Sequence, residues 1–132
     1  MKIEKYLTET AKALLKAKDG KKPLFYDIDE NNVFIANNNY MGIVIPKSYN
    51  IFNEDIKTTK MFNPSGDETK KTGKMFVKNK MVFWEMDNGL GINDKFLKYF
   101  DDDATFLCAG SLFKVFEHGV FVGIIAGAKN TK

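Results

Sequence analysis

The sequence predicts an α+β domain in which a helix followed by three short strands occurs twice. Two observations carry this. Apolar residues recur at helical spacing in two segments, and each segment is followed by short runs rich in Val, Ile, Phe and Tyr separated by Asn, Asp and Gly clusters. At 132 residues and 15.0 kDa the chain has room for one domain and one core, spanning 1–132.

The first helix is read from Ile3, Tyr6, Leu7, Ala11, Leu14 and Leu15. Lys5, Glu9, Lys12 and Lys16 form a polar stripe along it. Lys18 and Gly20 supply a stop. A short strand at Lys2–Lys5, with Thr8 capping a later helix, is the alternative start. Strands are predicted at 24–28, 33–36 and 40–45, with turns at 29–32 and 37–39, where Asn tolerates positive φ. Pro46 ends the third.

Residues 48–59 read as a short helix or an irregular crossing. Residues 63–74 read as a polar, turn-rich loop. A hairpin is expected from 74–78 and 81–86 around Asn79-Lys80. A second amphipathic helix is expected over 92–100, capped by Asn93 or Asp94, with Phe96, Leu97 and Phe100 on its buried side. Strands at 105–108, 112–116 and 120–126 close the chain, the last two joined by a turn at Glu117–Gly119. The repeat, at about 6–45 and 92–126, is one of pattern and not of residue identity.

Composition narrows the function classes. The longest apolar runs, such as Val120–Ala126, are far too short to span a bilayer, so no membrane partner is expected. The opening residues enter a Lys-rich helix and not an apolar signal core. A single Cys, Cys108, excludes an internal disulfide and suits a reducing cytoplasm. All 20 basic residues are Lys and the formal net charge is +3. Lys neutralises phosphate as a point charge but lacks the planar fork of Arg. Bidentate Arg–guanine readout is therefore excluded, and any DNA contact should be sequence-independent and salt-sensitive.

No catalytic, cofactor-binding or metal-ligating constellation is expected. Asp27, Asp29 and Glu30 resemble a hydrolase metal cluster, but Asp29 and Glu30 belong to a turn and no His accompanies them. Asp101–Asp103 lack EF-hand spacing and follow the wrong end of a helix. His118, the sole His, sits at a hairpin tip without a triad partner in sequence. Nothing in the sequence suggests a lowered pKa for Cys108. Gly66–Lys74 fails as a phosphate-binding loop, because Met75 stands where Ser or Thr must hold magnesium. What remains is the basic N-terminal region: the Lys5, Lys12, Lys16 stripe with Lys18, Lys21 and Lys22 after it.

The segment from Lys22 to Pro46 resembles the opening of a domain of the bacterial DNA polymerase sliding clamp and of clamp-like phage proteins. The likeness rests on the helix-to-strand entry at Pro23-Leu24 and on the corner Ala36–Gly42. There Tyr40 matches the family, while Asn38 and Met41 stand where the family has Asp and Arg. Residues 95–100 through 116–125 are similar to the end of such a domain, and about 48–80 is unmatched. The resemblance implies two helices packed on antiparallel sheets about an internal pseudo-two-fold. It also implies a non-catalytic role in phage or mobile-element replication. Duplex DNA would be held without sequence preference by Lys5, Lys12 and Lys16 on the first helix and Lys95 and Lys98 on the second. A clamp ring needs several such domains and this chain carries one, so encircling DNA requires an oligomer. Partners implied are DNA, replication proteins or further copies of the chain. The rival reading is a protein-interaction or structural module without DNA binding.

Overall fold

A computed structural model describes residues 1–17, 22–58 and 62–130. The stop at Lys18–Gly20 and the basic Lys21 lie outside the described residues. The chain is mixed α and β and mostly sheet. Helix α1 (Ile3–Leu15) leads into strands β1 (Leu24–Asp27), β2 (Asn32–Ala36) and β3 (Met41–Pro46). A 3-10 turn at Lys47–Tyr49 follows, then β4 (Ile56–Thr58), β5 (Asp67–Thr69), β6 (Lys71–Lys78), β7 (Met81–Met86) and β8 (Leu90–Asn93). Helix α2 (Asp94–Leu97) precedes β9 (Thr105–Ala109), β10 (Leu112–Glu117), β11 (Val120–Ala126) and β12 (Ala128–Lys129).

The strands form two sheets. An eight-stranded sheet has the order β4-β1-β2-β3-β11-β10-β9-β5, and a four-stranded sheet has the order β12-β8-β7-β6. Within the large sheet, β1–β3 and β9–β11 are both antiparallel meanders. They join where β3 runs antiparallel to β11, pairing Met41, Gly42 and Ile43 with Ile125, Ile124 and Gly123. The outer strands differ, β4 lying parallel to β1 and β5 antiparallel to β9.

Both faces of the large sheet are covered. This is why β2, β3 and β11 read as near-continuous apolar runs and not as strict alternation. One face carries the main core: Phe25, Val33, Ile35, Ile43, Ile45, Phe113, Val115 and Ile125. Tyr6, Ile3, Leu7 and Leu14 of α1, Phe96 and Leu97 of α2, Phe100, and Met86 and Ile92 of the small sheet pack on it. The opposite face holds Phe34, Val44 and Ile124, with Tyr26, Leu112 and Phe121 around them. Phe62 crosses that face, its ring 4.8 Å from Phe34 and 5.1 Å from Tyr26. Lys114, buried on β10, donates to the Ser65 carbonyl at 3.0 Å and ties this crossing segment down.

Several expectations need correction. The loop expected at 63–74 contains β5 and the first residues of β6, because the Thr69 hydroxyl bonds to Asp87 and β5 pairs with β9. Of the two alternatives for 48–59, the described residues up to Thr58 form the irregular crossing, a 3-10 turn followed by extended chain and β4, and not an α-helix; Thr59 lies outside the described residues. The second helix spans Asp94–Leu97 and not 92–100. Ile92 is fully buried opposite Trp84, which keeps it in a strand. Asn93 then accepts from the Lys95 N–H and starts the turn. After Leu97 the bonds tighten to Tyr99 N–H on Phe96 O and Phe100 N–H on Leu97 O, and the helix ends. The alternative strand at Lys2–Lys5 is not formed, and Thr8 bonds back to the Glu4 carbonyl inside α1. The turns at Asn79-Lys80 and His118-Gly119 are as expected, whereas no Asn at 29–32 or 37–39 has positive φ. Asn79 and Lys80 both have positive φ, as do His118 and Gly119, the left-handed pairs that two-residue loops require.

The junction of the two meanders depends on small residues. A Cβ on Gly42 would stand 2.5 Å from both the Ile35 carbonyl oxygen and the Phe34 ring. On the other face, a Cβ on Gly123 would stand 2.4 Å from the Phe100 ring. Because a backbone atom blocks Gly42, side-chain rotation cannot relieve that clash. Gly42→Ala is therefore expected to destabilise the fold by about 2 kcal/mol, read as a lowered midpoint in urea with an unchanged slope.

Candidate functional site

The candidate surface is the outer side of α1 and α2. Lys5, Lys12 and Lys16 are all exposed. Their spacing of seven and four residues aligns them within about 40° around a helix of 3.6 residues per turn. Apolar Ile3, Leu7 and Leu14 occupy the core side, and Tyr6 and Thr10 are fully buried, so the stripe necessarily faces out. Lys12 is also the basic residue of the last turn, where the helix dipole favours a cation.

Tyr99, just after α2, joins the two helical segments. Its ring meets Tyr6 edge-on at 5.2 Å between centroids, and its carbonyl accepts from the Lys2 N–H at 2.8 Å. Its hydroxyl donates to the Glu9 carboxylate. The Lys5 ammonium lies 5.3 Å from its ring centroid, within cation–π range. Burial raises the Tyr99 phenol pKa well above its ordinary value, and the hydrogen bond to Glu9 and the charge of Glu9 add to this. Glu9 thus places a carboxylate within the lysine stripe.

Tyr6 and Thr10 dock α1 on the Ala36–Gly42 corner. The Tyr6 hydroxyl accepts from the Asn37 N–H at 2.9 Å and donates to the Met41 carbonyl at 3.4 Å. The Thr10 hydroxyl bonds to the Tyr6 carbonyl at 3.0 Å and to Asn37 Oδ1 at 2.6 Å. Asn38 folds the corner itself, its Oδ1 accepting from the N–H groups of Tyr40 and Met41. A groove of about 180 Å³ runs between the helical segments, lined by Tyr6, Glu9, Asn37, Lys95, Phe96 and Tyr99.

The two lysines of α2 diverge. Lys95 is exposed on the groove facing α1. Lys98 lines a different cleft and lies 3.6 Å from Asp94. The five lysines named from sequence therefore do not form one uniform stripe. Lys12 and Lys16 present the least encumbered charge, Lys5 is drawn to Tyr99, and Lys98 is drawn to Asp94.

The carboxylates set aside from sequence are engaged locally. Asp29 Oδ1 accepts the N–H groups of Asn31 at 2.8 Å and Asn32 at 2.9 Å. The Asn31 bond first, then the Asn32 side chain, lower its pKa. Asp27 Oδ1 lies 2.8 Å from the Lys47 ammonium, at an angle that makes the contact an ion pair and not a directed hydrogen bond. Burial raises the Cys108 pKa, which disfavours the thiolate. Asp101, Asp103 and His118, distant in part of the sequence, come within 4.8 Å of one another through their ligand atoms, all exposed. Asp101 accepts from the Met1 ammonium at 3.1 Å. Sequence reasoning missed this grouping, as it missed Tyr99, because both depend on the β10–β11 turn and the chain start meeting the α2 turn.

No family model, curated protein or solved structure matches the chain. No helix among the described residues is long and apolar enough to cross a membrane.

Burial, countered in part by the Asn37 N–H, raises the Tyr6 phenol pKa well above its ordinary value. A folded-state pKa raised above the unfolded one gives stability that is full below about pH 10 and is lost as pH rises further. Tyr6→Phe should lower stability at neutral pH by about 1–2 kcal/mol through the loss of its hydrogen bonds. It should also make the alkaline limb of a stability–pH curve shallower.

Proposed function

We propose that this chain is a non-catalytic, clamp-like domain that contacts the backbone of duplex DNA without sequence preference. The observation that carries the reading is the strand order of the large sheet. β1-β2-β3 and β11-β10-β9 mirror each other about the antiparallel β3–β11 pair, and α1 and the α2 turn pack on the same face. Such an order is what an internal pseudo-two-fold with helix–strand–strand–strand halves would produce. The exposed Lys5, Lys12 and Lys16 lie on the side of α1 away from the sheet, where a backbone contact needs them. Lys95 extends the basic surface onto α2, while Lys98 faces a different cleft beside Asp94. The replication partners and the phage or mobile-element context follow from the sequence resemblance alone, and the cytoplasmic setting from the single Cys108.

The rival reading, a protein-interaction module without DNA binding, is favoured by a different observation. The β6–β7 hairpin exposes Met75, Val77 and Val82, with Val77 directly opposite Val82. This places apolar surface on a sheet edge, the feature that self-association would use. Light scattering with and without duplex DNA separates the two: a discrete oligomer that retains no DNA supports the rival.

Lys12→Glu combined with Lys16→Glu is the direct test of the DNA reading. Removing one lysine–phosphate pair reduces the slope of log affinity against log salt by about 1. Retention on duplex DNA at low salt should collapse in this variant, equally for unrelated sequences. Unchanged low-salt affinity in the folded variant would falsify the proposal.

A further inference from the structure

We infer that the free edge of β6 takes up an extended peptide strand that alternates acidic and apolar residues. β6 is the last strand of the small sheet, and among the described residues it pairs only with β7. Its outer side is a row of backbone donors and acceptors with which an incoming strand can pair.

The turn fixes which groups are offered. Asn79 and Lys80 form a two-residue loop, so Lys78 and Met81 are the first hydrogen-bonded pair of the ladder. Bonded and non-bonded pairs alternate from there. Val77 and Met75, opposite Val82 and Trp84, therefore turn their N–H and C=O groups to the free edge. Before Met75 the register shifts, and the Lys74 N–H donates to the Thr72 hydroxyl. The usable edge is thus residues 75–78.

The side chains along this edge set the chemistry of the ligand. Strand alternation puts Met75 and Val77 on one face with Val82 and Trp84, and Phe76 and Lys78 on the other. Val77 is 70% exposed and Met75 46%. Lysines alone would guard an edge against pairing. Bare aliphatic side chains add nothing to such a guard, whereas an incoming strand would cover them.

Charge disfavours a second copy of β6 and selects an acidic partner. Residues 70–84 contain five lysines and no carboxylate. The neighbouring strands β8 and β12 add Lys129 and no carboxylate. Lys70 is paired with Glu68 at 3.6 Å, while Lys71, Lys74, Lys78 and Lys80 form no ion pair among the described residues. Pairing β6 with β6 would bring the lysines of both copies to one seam, where opposed like charges destabilise. A partner strand with carboxylates at alternate positions meets Lys74 and Lys78, and its apolar residues cover Met75 and Val77. A nucleic-acid backbone would meet the same lysines but leave Met75, Val77 and Val82 in water and the edge carbonyls without donors. None of these residues belongs to the α1 stripe, so the inference goes beyond the duplex contact proposed above and does not depend on it.

Trp84, opposite Met75, is the sole tryptophan, so its fluorescence reports on this edge. The full chain is titrated with the capped peptide Glu-Val-Glu-Val-Glu-Val, with its Lys-Val counterpart, with the Glu-Val peptide N-methylated at every residue, and with single-stranded oligo-dT. A saturable change is expected with the first peptide alone, weakening as salt is raised. The triple variant Lys74→Gln, Lys78→Gln, Lys80→Gln should bind it about tenfold more weakly. Val77→Thr with Val82→Thr should also cost about tenfold in affinity. Circular dichroism checks that both variants fold. Lys12→Glu with Lys16→Glu should bind the peptide unchanged, so failure of the duplex contact and failure of this one are read separately. Equal binding of the N-methylated peptide would show charge attraction without strand pairing and overturns the inference. So does undiminished affinity in the lysine variant, binding of oligo-dT in place of the peptide, or a dimer in light scattering that shuts the peptide out.

Discussion

The pairing of β3 with β11 makes this domain possible. Each meander alone is a local, three-stranded sheet. Only their junction makes a surface broad enough to seat α1, the α2 turn and part of the small sheet over one core. The pairing is short and joins segments far apart in sequence, so forming it carries a loop-closure cost that only the burial it permits can offset. Gly42 and Gly123 lie in this register on opposite faces, and each leaves room for a Phe ring to cross the strands. Phe34 covers one face and Phe100 the other, which links the junction to both apolar clusters.

From that junction a chain of contacts runs outward to the functional surface. Phe100 sits over Gly123, Tyr99 precedes it, and Tyr99 meets Tyr6, Glu9 and Lys5 of α1. Tyr6 returns to the Ala36–Gly42 corner, beside β3. The orientation of α1, and with it the direction in which Lys12 and Lys16 point, is thus set by hydrogen bonds and ring contacts at its core side. The electrostatics follow the same geometry. Glu9 and Asp94 are held near lysines of their own segment, so the basic surface is interrupted and strongest toward the C-terminal end of α1.

Local patterning made much of this legible. The apolar stripe of α1, the strands at 24–27, 32–36 and 41–46, the two left-handed hairpin turns and the last three long strands all follow from residue types acting on their immediate neighbours. The small sheet was only half legible. β6 and β7 turn at Asn79-Lys80, but β8 and β12 are short and pair with strands that nothing in their own composition specifies. Ile92 shows the difficulty. Its sequence context suits a helix, yet burial opposite Trp84 keeps it extended. Likewise, Lys95 and Lys98 read as one helical face, but the single turn of α2 sends them into different clefts.

Composition and spacing within single elements were enough to set the class of the chain, the lysine-only basicity that rules out Arg-based readout, and the stripe of Lys5, Lys12 and Lys16. Long-range packing alone set which meander meets which, that Tyr99 anchors α1, and that Trp84, Lys71 and Lys2 share a cleft. Tyr99 is separated from α1, and Lys2 from the β6–β7 hairpin, by long stretches of chain. Their approach is a consequence of two sheets closing over a common core, a non-local energy that no local propensity encodes.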